Sequence, residues 1–107
     1  MKKCSTVIIS CIDFRFQNHI QKLIKLLSIE NDVDIINIVG GAISLDDYKK
    51  NGKTMLDVSI ELHNPKNIIL TGHDNCGAGT TCKELKKKLF EYKKRYHNHN
   101  VFIKWFN

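Results

Sequence analysis

Four runs of β-branched and apolar residues alternate with segments of helical periodicity, and this alternation restricts the chain more than any other feature. The first run covers residues 5–12 around Thr6-Val7-Ile8-Ile9, and the second covers 33–39. The third covers 67–72 around Asn67-Ile68-Ile69-Leu70, and the fourth lies within His99–Phe106. Short, nearly unbroken apolar runs are typical of strands buried on both faces of a parallel sheet. Between the first two, residues 16–29 place Ile20, Leu23, Ile24 and Leu27 at i, i+3, i+4 and i+7, one apolar helical stripe. Residues 53–63 read as a second helix, with Met55, Val58 and Leu62 on one face and Leu56 and Ile60 widening it. Asn64-Pro65 ends that helix. A third helix opens at Gly77-Ala78-Gly79-Thr80 and turns Leu85, Leu89, Tyr92 and Tyr96 inward. Strand–helix–strand units of this kind cross over right-handed. The expected fold is α/β: one domain over residues 1–107, three layers α/β/α, and a mostly parallel sheet of about four strands in a Rossmann-like topology.

Two strand ends carry the candidate chemistry. Cys11-Ile12-Asp13-Phe14-Arg15 closes the first run, and Gly72-His73-Asp74-Asn75-Cys76-Gly77 closes the third. Ligands in open α/β sheets bind at the carboxyl ends of strands. Two thiolates and an imidazole suit Zn²⁺, and three protein ligands leave the open position of a catalytic site. Cys11, His73 and Cys76 are therefore the expected metal ligands. Asp13 is near enough to reach the open position or water on it, and Arg15 can pair with Asp13 and keep it ionised. Helix N–H groups after Cys76 would favour its thiolate or an anionic product.

The pattern C-x-D-x-R followed about 60 residues later by H-x-x-C-G resembles the β-class carbonic anhydrases. The resemblance extends over roughly residues 5–90, taking in Asp34-Ile35-Ile36-Asn37-Ile38-Val39-Gly40-Gly41-Ala42 and Ile68 to Ala78. It implies a β-carbonic anhydrase-like sheet with the first strand beside the third, which would bring Cys11 next to His73 and Cys76. It also implies one Zn²⁺ per chain and reversible hydration of CO₂ to bicarbonate. Zinc-bound hydroxide would be the nucleophile, and Asp13 and Arg15 the catalytic residues that orient it. In part of that family the aspartate itself occupies the fourth zinc position until the arginine draws it away. Alternatives are hydrolysis of CS₂ or COS, or a degenerate zinc domain with a structural or regulatory role. Phe14 stands where the family usually has a small residue, and Ile38-Val39 where it has an arginine–asparagine pair. Only a few residues precede the first strand, where relatives carry a helical arm with a substrate-binding glutamine.

Composition narrows the remaining classes. A 42% hydrophobic content argues for a globular core rather than disorder. No apolar run is long enough for a membrane span, and the N-terminus does not read as a signal peptide, so a cytoplasmic protein is expected. Four cysteines without a secretion signal favour metal binding over disulfides, with Cys4 and Cys82 as ordinary packing residues. The net charge of +6 resides in residues 83–107, which hold eight basic and two acidic residues, leaving nine of each elsewhere. Lys86, Lys87, Lys88, Lys93, Lys94 and Arg95 with Tyr92, Tyr96 and Trp105 offer a nucleic-acid face, but a solvated lysine-rich helix explains them more simply. His19 reads as a surface residue or a proton shuttle, and His97 and His99 as a solvated turn in preference to a metal pair. Asp46-Asp47 reads as a carboxylate pair near a helix start. Gly40-Gly41 allows close backbone approach or unusual φ/ψ. A homodimer or larger homo-oligomer is expected, covering Leu56, Ile60 and Trp105.

Overall fold

Each of the four apolar runs forms a strand: β1 (Thr6–Cys11), β2 (Val33–Ile38), β3 (Asn67–His73) and β4 (Asn100–Phe106). The computed structural model describes residues 2–73 and 82–106. All strand pairs are parallel, in the order β2-β1-β3-β4. Thr6 is level with Val33 on one side and with Asn67 on the other.

The period-two alternation of strand side chains divides the core between the two faces. Val7, Ile9, Ile36, Ile38, Ile68, Leu70 and Val101 point to one face. There they meet a 3-10 helix at Gly41–Tyr48 and the α-helices α2 (Met55–His63) and α3 (Cys82–Arg95). Ile8, Ile69 and Phe106 point to the other face, against Ile20, Ile24 and Ile29 on and just after α1 (Gln17–Leu26). This is the expected three-layer α/β/α arrangement.

α1 is shorter than its apolar stripe predicts. Phe14–Phe16 is a separate 3-10 turn, and Ser28 adopts φ 55°, which turns the chain out of the helix. Leu27 is consequently half exposed, while Ile29 folds back into the core.

α2 corrects the sequence reading. Met55, Val58 and Leu62 are each more than 40% exposed, whereas Leu56 and Ser59 are buried and Ile60 packs on the core. The stripe facing the sheet is Leu56, Ser59, Ile60 and His63, again at i, i+3, i+4 and i+7. Two of its members are polar, so the apolar pattern alone selected the wrong face. The rotation is set by Asp34 on β2, whose Oδ2 lies 2.7 Å from Ser59 Oγ and 2.7 Å from His63 Nδ1. The start of α2 is fixed by a capping box. Thr54 Oγ1 accepts from Asp57 N at 3.1 Å, and Asp57 Oδ2 accepts from Thr54 N at 2.9 Å. Asn64 ends the helix at φ 44°, ahead of Pro65.

Leu85, Leu89, Tyr92 and Tyr96 form the buried face of α3 as expected, and its lysines lie on the outer side. Arg95 forks onto Asp46, with bonds of 2.7 and 3.0 Å that tie α3 to the 3-10 helix. Those bonds hold the Asp46 carboxyl well below the usual carboxylate range, so this residue acts as a tie rather than as one of an acid/base pair. Leu56, Ile60 and Trp105, expected beneath a second subunit, are packed on this chain's own core. Among the described residues no helix is long and apolar enough to cross a membrane.

Candidate functional site

The connections leaving β1 and β3 diverge. β1 leads to α1 on one face, and β3 leads towards α3 on the opposite face. β2 then lies on one side of β1, and β3 and β4 on the other. Where successive connections part in this way, a crevice opens at the carboxyl ends of the two strands, the usual ligand position in such sheets. Cys11 is the last residue of β1 and His73 the last of β3. Ile9 pairs with Leu70, so continuing the register by two residues brings Cys11 level with Gly72, beside His73.

Asp13 and Arg15 are brought together. Arg15 Nε donates to Asp13 Oδ1 at 2.9 Å and to Oδ2 at 3.1 Å, and its terminal nitrogen also donates to Oδ2. The backbone N–H of Arg15 donates to Oδ1 at 3.0 Å, so Asp13 also caps the Phe14–Phe16 turn. These bonds hold the Asp13 carboxyl down to about 2, with a smaller pull from His73.

His73 is 4% exposed and Cys11 is half-buried. A thiol and a buried imidazole thus stand at the ends of adjacent strands, two residue types that can bind Zn²⁺, and Asp13 follows Cys11 by two residues. The third expected ligand, Cys76, lies outside the described residues, as do Asp74, the glycine-rich segment 77–80 and the side chain of Cys82.

Phe16 and Gln17 shape the site without having been singled out in the sequence, and His19 and Gly41 join them. Phe16 stacks on the His73 ring with centroids 4.1 Å apart, and His19 meets the edge of Phe16 at 5.5 Å. Gln17 Nε2 donates to the carbonyl oxygens of Cys11 and Asp13 at 3.0 and 3.1 Å, clamping the turn that carries both residues. Gly41, at φ +67°, packs so closely that a Cβ there would lie 3.1 Å from the backbone nitrogen of Cys11. The close approach expected of Gly40-Gly41 is therefore used to seat the β1 end. Phe16 and Gln17 directly follow the C-x-D-x-R segment, and this adjacency was the available signal. Only the folded β1–β2 neighbourhood shows what Gly41 touches.

A second cluster, which includes Cys4, lies at the opposite end of the sheet. Among the described residues, Cys4, Asp34 and His63 form the one group of three metal-binding side chains whose ligand atoms all lie within 4.8 Å of one another. These residues come from three distant segments, so no spacing rule points to them.

Comparison with known proteins agrees with the pattern at the strand ends. A family model described as "Putative carbonic anhydrase" matches residues 1–103. An uncharacterized protein of Rickettsia bellii (strain RML369-C) is 37% identical over 83 residues, covering 73% of this chain and 51% of its own. An uncharacterized protein of Rickettsia conorii (strain ATCC VR-613 / Malish 7) is likewise 37% identical over 83 residues, covering 73% of this chain and 45% of its own. The chain thus spans about half the length of the curated relatives it matches. With the family match running from the first strand into the fourth and through both strand-end motifs, this chain belongs to the carbonic anhydrase family so described.

Proposed function

We propose that this protein hydrates CO₂ reversibly to bicarbonate, with Zn²⁺ held by Cys11, His73 and Cys76. The observation that carries the reading is the convergence of Cys11, the Asp13–Arg15 pair and His73 at the diverging ends of β1 and β3. Zn²⁺ bound there would supply the Lewis acidity that lowers the pKa of water from about 15.7 towards 7.

The chain's own residues would do the rest. Asp13, held ionised by Arg15, is a hydrogen-bond acceptor at the mouth of the site and can orient an attacking O–H. Because Arg15 takes both Asp13 oxygens, the carboxylate is directed towards the guanidinium, and a metal held by Cys11, His73 and Cys76 would then keep its remaining position for water or substrate. Phe16 covers one face of the His73 ring and limits its rotation. Gln17 and Gly41 fix the backbone of Cys11. Positioning of this kind lets a small electrophile meet a prepared nucleophile without rearrangement of the protein.

Stopped-flow CO₂ hydration on zinc-loaded protein tests the proposal, with Cys76→Ser and Asp13→Asn as variants. The expected result is catalysis in wild type, its loss in Cys76→Ser, and a fall of roughly 10²-fold or more in Asp13→Asn, the scale of a lost proton-handling group. Zinc-loaded wild type with no rate above the uncatalysed reaction would refute it. Turnover of CS₂ or COS instead would retain the site and change the substrate.

A further inference from the structure

We propose a second metal site, formed by Cys4, Asp34 and His63 at the amino end of the sheet and suited to Zn²⁺ or another late first-row divalent ion. It is independent of the site at the strand ends. Cys4 precedes β1, Asp34 is the second residue of β2, and His63 is the last residue of α2. The backbone brings them together through bonds that do not involve their side chains. Cys4 N donates to His63 O at 3.1 Å, and Ser5 N donates to Asp32 O at 3.2 Å. The three side chains are half-buried, so an ion could reach them while losing part of its water shell.

Asp34 is at the centre of the group. His63 Nδ1 and Ser59 Oγ each lie 2.7 Å from its Oδ2, and Cys4 Sγ, which donates to the carbonyl oxygen of Thr6 at 3.4 Å, lies within 4.8 Å of the Asp34 and His63 ligand atoms. Burial works against the Asp34 charge, but the bonds from His63 and Ser59 overcome it and hold the carboxyl below its usual range. The Cys4 thiol is pushed up, by burial first and then by the Asp34 charge. The arrangement does not suit a nucleophile. In a Cys–His–Asp relay the imidazole lies between thiol and carboxylate. Here the imidazole meets the carboxylate, while the thiol donates to a backbone carbonyl and both burial and the carboxylate charge disfavour its thiolate. A divalent cation reverses that effect, because its charge displaces the thiol proton and favours the thiolate beside Asp34.

The donor set also matches in chemistry and size. One thiolate, one imidazole and one carboxylate are typical ligands of borderline ions. Bonds of about 2.0–2.3 Å in a tetrahedron put ligand atoms roughly 3.5 Å apart. The group, within 4.8 Å at its widest, would draw in by about 1 Å, while Asp34 and His63 would part slightly. Ser59 would then orient the carboxylate from outside the ligand shell. Three ligands leave one position to solvent. Such an ion would pin the segment before β1 to β2 and to the end of α2.

Co²⁺ titration of chelator-stripped protein carrying Cys11→Ser and Cys76→Ser tests the inference, because thiolate-to-cobalt charge transfer then reports on the remaining cysteines. One equivalent of Co²⁺ with a charge-transfer band is expected. The band should vanish on adding Cys4→Ser, vanish or weaken at least tenfold in apparent Kd on adding His63→Ala, and persist on adding Cys82→Ser. Ser59→Ala should weaken binding by roughly tenfold. Circular dichroism confirms that each variant folds. No band in the starting protein, or a band that survives Cys4→Ser in folded protein, overturns the proposal. Counting zinc in otherwise wild-type protein separates the two sites. Metal lost only with Cys76→Ser leaves the strand-end site alone standing, and metal lost only with Cys4→Ser leaves this one.

Discussion

Replacing Gly41 by alanine tests how tightly the end of β1 is seated, and Gly52 supplies the control. Both glycines have positive φ, +67° and +75°, so alanine is strained at either position. That strain costs about 1–2 kcal/mol, partly offset by about 0.4–1 kcal/mol from the less flexible unfolded chain. At Gly52 nothing lies within 4 Å of the added Cβ, so the expected loss is about 1 kcal/mol. At Gly41 the Cβ meets Cys11 N at 3.1 Å, Ser10 C at 3.5 Å and Cys11 Cα at 3.6 Å. These are backbone atoms of a strand paired on both sides, which cannot swing away as a side chain would. Overpacking against such a wall adds about 1–3 kcal/mol. Gly41→Ala should therefore lose roughly 2–4 kcal/mol, with Cys11 displaced by a few tenths of an ångström. Urea unfolding of metal-free protein, with unchanged m-values, measures both variants. In thermal scans Gly52→Ala should lower Tm by about 4–8 °C and Gly41→Ala by at least twice as much. If Gly41→Ala is no more destabilising than Gly52→Ala, the contact with Cys11 does not constrain the strand and the reasoning fails.

Two further outcomes follow from the hydrogen-bond networks. Arg15→Ala should let the Asp13 carboxyl rise from about 2 towards its ordinary 3.8, read by carbon-detected NMR titration. A carboxyl depressed in the folded chain stabilises it above the unfolded pKa. In wild type that contribution declines as pH falls from about 3.8 to about 2, and the variant should lack this part of the acid dependence; an unchanged titration would show that another group holds Asp13 down. Tyr96→Phe removes a hydroxyl that donates to Asp57 Oδ1 at 2.8 Å and lies 3.0 Å from Thr54 Oγ1. Thr54 is 1% exposed, so losing that partner should cost about 1–3 kcal/mol in urea unfolding, and a loss below about 0.5 kcal/mol would contradict the network's role.

The sequence by itself determined the order of elements and the two motifs at the strand ends. Period-two and 3.6-residue patterns are local, and a buried parallel strand such as Thr6–Cys11 or Asn67–His73 records its surroundings in its own composition. The inner face of α3 was legible for the same reason, since Leu85, Leu89, Tyr92 and Tyr96 are all apolar or aromatic. The Asp13–Arg15 pair was legible because two residues of chain separate its members. The face of α2 was not, because the sheet holds it partly through Ser59 and His63, polar residues whose partner Asp34 lies 25 and 29 residues away. The packing of Gly41 against Cys11, the stacking of Phe16 on His73 and the meeting of Cys4 with Asp34 and His63 belong to the tertiary structure alone. Each joins side chains or backbone brought close by the parallel register, and parallel pairing puts residues tens of positions apart side by side without leaving a periodic mark in the chain.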